Sequence, residues 1–190
     1  MTGMRIAALI GMRCHPLLVL CLASWFAPLR GATLEQLSLD ELIQKSTTIV
    51  RARVVDSHAD FRGAEIFTHW KLEVEEQWKG PAPSEVMVPG GSVRGYRQGV
   101  PGAPQLTAGK EYVLFLWRSK SGATYLTGWG QGVFELSKED AGKLVATRAA
   151  ASETMVEHGT WRPVKDDGLQ MPYSDLAARI SAALGKGASR

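Results

Sequence analysis

The sequence predicts a mainly β protein: a small antiparallel OB-like barrel of about five or six strands, with one short helix before it and one at the C-terminus. Three observations predict this. Ile66–Trp78, IFTHWKLEVEEQW, alternates strictly: Ile66, Thr68, Trp70, Leu72, Val74, Glu76 and Trp78 fall on one parity and the polar residues mostly on the other. Short strand-like runs follow it, punctuated by Gly and Pro. Helical spacing of apolar residues occurs in only two short stretches.

The elements follow in order. Ser38-Leu39-Asp40-Glu41 is a capping box, and Leu39, Leu42 and Ile43 form the stripe of a helix over roughly 39–46. Thr48–Ser57 is a strand with Val50, Ala52 and Val54 on one face. His58–Ala64 reads as a polar loop, and Ile66–Trp78 as a long strand that bends, serves two sheets or wraps a barrel. Lys79–Pro83 is a turn, Glu85–Val88 a short strand, and Pro89-Gly90-Gly91 its end. Residues 90–109 form a glycine-rich loop, long enough to be a candidate binding loop; the alternative is a plain crossing of the barrel end. Glu111–Arg118, EYVLFLWR, is a buried central strand. Thr124–Trp129 and Gly132–Leu136 are two more strands. Between them, the glycines of 128–132 mark a turn or bulge needing positive φ or close backbone approach.

Beyond Ser137, residues 138–151 read as a short helical turn and then a strand, KLVATR, and Trp161 is the one large anchor of a mixed, polar stretch. Ser174 is placed as N-cap of the last helix, with Leu176, Ile180 and Leu184 as its stripe and Gly185 as its end. The domain plan is therefore a leader over 1–31, a barrel over 32–137 and a C-terminal extension over 138–190 whose helix packs on the barrel.

The leader has the three-part layout of a secretory signal peptide: Arg5 and Arg13 with no acidic residue, the apolar run LLVLCLASWF, then small residues. Its removal takes away Arg5, Arg13 and Arg30, which lowers the 22 basic residues to match the 19 acidic ones. A formally neutral domain lacks the clustered positive charge that nucleic acid demands. Both cysteines, Cys14 and Cys21, leave with the leader, so the mature domain has no disulfide, thiol nucleophile or cysteine metal ligand. A secreted or periplasmic location follows from the leader.

Residues 37–137 resemble a poorly characterised group of exported bacterial domains. The resemblance lies in LDELIQKSTTIVRARV, in T-x-x-x-L-x-V-x-x-x-W-K-G (Thr68–Gly80), in Pro89-Gly90-Gly91, in GKEYVLFL (109–116) and in G-x-G-Q-G-V-F (128–134). The run G-x-E-Y-x-x-F after a long loop is also similar to netrin-like modules, including tissue inhibitors of metalloproteinases. That similarity implies an OB-type barrel. It does not carry over protease inhibition, which in those inhibitors uses an N-terminal cysteine on the protease zinc.

Motifs for catalysis are sparse. His58 and His69 are placed on neighbouring strands and are weak candidates for a metal site; neither has helical zinc-motif spacing. Ser92 sits in GGSVRG, not in a nucleophile elbow. Glu73 and Glu75 share a polar face with Lys71 and read as solvated. Trp78, Trp129 and Tyr96 fall at strand ends or loops, where they form either a stacking platform or caps on the barrel ends. The sequence thus points to an exported, non-enzymatic binding domain without cofactor, using Arg94, Tyr96, Arg97, Trp78 and Trp129. The expected partner is an extracytoplasmic protein or a glycan, not nucleic acid, nor membrane once the leader is cleaved. The alternatives are an exported hydrolase or metal-dependent enzyme with a non-motif site, and a carbohydrate-binding module.

Overall fold

The computed structural model describes residues 33–139 and 142–187; the expected leader lies outside them. In chain order the elements are β1 (Thr33–Glu35), a first helix (Leu39–Lys45), β2 (Thr48–Arg62), β3 (Glu65–Lys79), β4 (Glu85–Pro89), β5 (Gly91–Val93), β6 (Tyr96–Gln98), β7 (Glu111–Arg118) and β8 (Thr124–Leu126). They continue with a 3-10 turn (Trp129–Gly132), β9 (Val133–Lys138), β10 (Leu144–Arg148), β11 (Thr154–Val156), β12 (Pro163–Val164), β13 (Leu169–Pro172) and a C-terminal helix (Tyr173–Gly187). No described helix is long and apolar enough to cross a membrane.

Five strands close a ring. β2 pairs with β3, β3 with β4, β4 with β8, β8 with β7, and β7 returns to β2. All pairs are antiparallel except β4 with β8, which meet in parallel through Met87 and Tyr125. This is the small, mainly β, OB-like barrel with two helices that the alternating strands predict. The sheet also runs outward from β7 through β9 and β10 to β13. A separate three-stranded sheet, β1–β11–β12, joins Thr33–Glu35 in parallel to Thr154–Val156.

β7 explains its unbroken apolar run by being covered on both faces. Tyr112, Leu114 and Leu116 point into the barrel with Val50, Ala52, Val54, Leu72, Val86 and Val88. Val113 and Phe115 point the other way, into a second core with Phe134, Leu136, Ala146 and the stripes of both helices: Leu39, Leu42, Ile43, Leu176 and Ile180. A helix amphipathic on one stripe needs such a sheet face to bury it. The capping box forms as the spacing requires: the Glu41 amide donates to the Ser38 hydroxyl, and the Ser38 amide donates to the Glu41 carboxylate.

The long strand differs from its simple alternation. Register shifts interrupt the β2–β3 ladder at three places, between Ile49 and Val50, Arg51 and Ala52, and Val54 and Asp56. Each extra residue kinks the ladder and adds twist. Trp78 has no ladder partner and packs against the helix-side core beside Tyr173, ring centroids 6.4 Å apart. Strict parity placed it with Trp70 and Leu72; the bulges invert that.

Other expectations are corrected. The polar loop His58–Ala64 does not exist as such: β2 runs to Arg62, and the connection is the tight turn at Gly63–Ala64. The loop 90–109 contains a hairpin, β5–β6, turned by Arg94 and Gly95, both at positive φ, as a tight primed turn requires. This hairpin lies across the β2–β3 arm. The Ile66 amide donates to the Gln98 side chain (2.7 Å), and Phe61 meets Tyr96 edge to face. A Cβ on Gly91 would sit 2.6 Å from Thr68 Oγ1, so the crossing needs glycine there. Trp161 is not an anchor; it is 76% exposed. The C-terminal helix already contains Tyr173 and passes through Gly185, so Ser174 lies inside it and donates to Asp175 rather than capping.

Candidate functional site

The outward side chains of the ring collect on one face. In the paired strands, Phe67 lies opposite Pro89, His69 opposite Met87 and Lys71 opposite Glu85. Met87 pairs with Tyr125, and Tyr125 with Trp117. Directly paired residues share a face, so these side chains form one continuous strip across β3, β4, β8 and β7. Trp117 and Tyr125 stack with centroids 4.9 Å apart, and Phe67 sets its edge against Tyr125. Arg62, at the tip of the β2–β3 hairpin, donates to Tyr125 Oη (2.9 Å) and to Ser121 Oγ (2.9 Å). One guanidinium thus ties the hairpin tip to the β7–β8 connection.

A cleft of about 370 Å³ opens on this strip, walled by Phe67, Trp117, Tyr125 and Trp129 and closed by Val100 and Pro104 of the 90–109 loop. On the other side of the loop lies a second, more polar cleft of about 340 Å³, with Trp70, Ser92, Arg97, Gln98 and Gln105. Val88, Pro89 and Val100 belong to both. The Trp70 indole nitrogen is buried without a hydrogen-bond acceptor among the described residues. In OB barrels the outer face of the second and third strands, with the flanking first-hairpin and fourth-to-fifth-strand loops, is a recurrent ligand surface. β3, β4 and the Gly63 and Ser119–Ser121 connections occupy those positions in this ring.

The sequence candidates are scattered around this geometry. Trp129 lines the aromatic cleft and Arg97 the polar one. Tyr96 is 66% exposed and rests on Phe61, while Arg94 sits at the hairpin turn. Trp78 is on the helix side. Trp78, Tyr96 and Trp129 therefore do not form a common platform. Trp117, Tyr125 and Phe67 were missed. Parity would have put Trp117 outside, since it alternates with the inward Leu116, but it closes a run that reads as buried throughout.

The 128–134 motif holds this region in shape. Gly128 and Trp129 both adopt positive φ. Gln131, almost wholly buried, donates through Nε2 to the Glu35 carbonyl (2.9 Å) and accepts from the Leu37 amide (2.7 Å). This clamps the segment after β1 beside the 3-10 turn that presents Trp129.

Two carboxylates of the long strand, Glu75 and Glu76, are engaged, as is Glu111 of β7. Glu75 and Glu111 both bind Arg51 and Arg53; Arg51 Nη2 lies 3.1 Å from Glu75 and 2.7 Å from Glu111. The hydrogen bond from Arg51 holds the Glu111 carboxyl below the usual carboxylate range. Tyr173 donates to Glu76, and burial, reinforced by that carboxylate, pushes its phenol up to about 12. It remains a neutral donor at physiological pH. Glu75 is thus an ion-pair member rather than part of a merely solvated face.

His58 and His69 stand directly opposite each other in the β2–β3 ladder. Their rings stack, centroids 4.7 Å apart and planes within 18°. His69 Nδ1 lies 3.0 Å from Glu85 Oε1 on β4. No protein-family model matches the chain, and no curated protein sequence matches it.

Proposed function

We propose that the protein is an exported, non-enzymatic binding domain, and that it holds its ligand in the aromatic cleft between the outer barrel face and the 90–109 loop. The observation that carries this reading is the stacked pair Trp117 and Tyr125 with Phe67 and Trp129 around one open cleft. Aromatic side chains combine large apolar area with little conformational entropy to lose, so they suit flat ligand faces such as sugar rings or the side chains of an extended peptide. The leader-like residues 1–31 support export, and with it a glycan or protein partner outside the cytoplasm. The adjacent carboxylates Glu75 on β3 and Glu111 on β7 are both neutralised by Arg51 and Arg53, which favours binding over hydrolysis at that pair.

The test measures intrinsic tryptophan fluorescence against a glycan panel and, in parallel, pull-down from extracytoplasmic extract. Trp117→Ala and Trp129→Ala should remove a fluorescence response or a captured partner while leaving the melting temperature nearly unchanged. Arg94→Ala and Tyr96→Ala, at the hairpin tip, should leave binding intact. Loss of binding in the tip variants, with the cleft variants unaffected, would move the site back to the hairpin.

A further inference from the structure

We infer that His58, His69 and Glu85 form a binding site for a divalent transition-metal ion, with zinc or copper as the chemically matched species. One donor atom from each side chain lies within 4.8 Å of the other two. The three residues come from three adjacent strands, β2, β3 and β4, so hydrogen-bonded backbone holds their Cα positions. Such rigid placement lowers the ordering cost of ligation.

The local electrostatics favour this use of Glu85. Its direct cross-strand neighbour is Lys71, the obvious ion partner. Lys71 instead reaches the other way and donates to Asp56 at 3.0 Å. The Glu85 carboxylate turns to His69, 3.0 Å from Nδ1. Tetrahedral zinc, with Zn–N and Zn–O near 2.0–2.2 Å, needs donors about 3.3 Å apart, so this pair already has nearly the required spacing. His58 is exposed and stacked on His69, and one of its ring nitrogens lies within 4.8 Å of the other two donors.

The donor set selects the metal class. Two imidazoles and one carboxylate suit Zn²⁺ and Cu²⁺, whereas Ca²⁺ and Mg²⁺ prefer all-oxygen shells. Three protein ligands leave a coordination position open. The residues that would hold the ion lie on the same strip as the aromatic cleft, since His69 and Met87 are followed two residues along by Phe67 and Pro89.

The experiment is calorimetric titration of untagged protein with ZnCl₂ and, separately, CuCl₂. One saturable equivalent per chain is expected. Binding should vanish in His58→Ala and in His69→Ala, and weaken by at least about tenfold in Glu85→Gln. His158→Ala, which removes the surface histidine beside Glu35, should bind as the parent does. Far-UV circular dichroism melts check that each variant is folded. The inference fails if the parent takes up no saturable equivalent of either ion, or if His58→Ala or His69→Ala binds as tightly as the parent. Undiminished binding by Glu85→Gln removes Glu85 from the ligand set and overturns the three-residue site.

Discussion

Arg148 and Asp166 form a two-pronged ion pair, with both guanidinium-to-carboxylate distances at 2.6–2.7 Å and the Asp166 side chain only 2% exposed. Asp166 also accepts the amides of Ala151 (2.8 Å) and Gly168 (3.3 Å). It thereby fastens the meandering 149–168 segment to β10. Breaking a buried pair strands its partner charge, so Arg148→Ala should cost about 3 kcal/mol. Urea unfolding followed by tryptophan fluorescence measures this.

The same pair predicts an acid limb to stability. The hydrogen bonds from Arg148 lead the causes that hold the Asp166 carboxyl below its ordinary value. A carboxyl depressed by folding contributes its full stabilisation above its unfolded pKa, near 3.9. That contribution fades as pH falls from about 4 toward the folded value. The parent's melting temperature should drop more steeply below about pH 4 than that of Asp166→Asn, which has no carboxyl there to protonate.

Gly132 is a steric requirement. A Cβ there would sit 2.3 Å from the Thr127 carbonyl oxygen and 2.9 Å from that of Phe115. Both are backbone atoms that cannot swing away. Gly132→Ala should destabilise by about 2–3 kcal/mol. Gly130→Ala is the matched control, because its Cβ would meet nothing within 4 Å. Comparable unfolding midpoints for the two variants would contradict the close-approach account.

Gln131→Ala should release the segment after β1. It leaves the Glu35 carbonyl and the Leu37 amide without their side-chain partner, a loss of about 2 kcal/mol. Hydrogen exchange at the Leu37 amide should accelerate in the variant, while exchange in β7 follows only the global change.

Ser38→Ala removes the cap of the first helix and should cost about 1 kcal/mol. The loss should appear as earlier exchange of the 40–42 amides, since the helix contributes Leu39, Leu42 and Ile43 to the helix-side core.

Local chemistry made much of this fold legible. The capping box, the bounds of β7, the Lys79–Pro83 turn and the positive-φ glycine at 128 all follow from nearest-neighbour sterics and hydrogen bonding. Errors cluster where one residue more or less changes the answer. A single bulge residue reverses every later side chain on a strand, which takes Trp78 off the face that parity alone shares with Trp70 and Leu72. The 58–64 segment looked like a loop because polar residues on a two-sided projecting arm carry no burial pattern. The candidate site was legible only in fragments: Trp129, Arg97, His58 and His69 stood out, while Trp117, Tyr125, Phe67 and Glu85 did not.

By itself the sequence determined the capped first helix, the extended runs at Thr48–Ser57, Ile66–Trp78 and Glu111–Arg118 and the Lys79–Pro83 turn, because those properties depend on residues a few positions apart. Only the tertiary structure decided that β8 closes the ring between β4 and β7, that the 90–109 loop folds into a hairpin across β2–β3, and that Glu85 lies beside the two histidines. Alternation tells a strand which way its side chains point, and nothing about which strand lies next to it. That choice depends on the packing of distant segments around shared cores, and it is what assembles separate residues into a cleft or a ligand set.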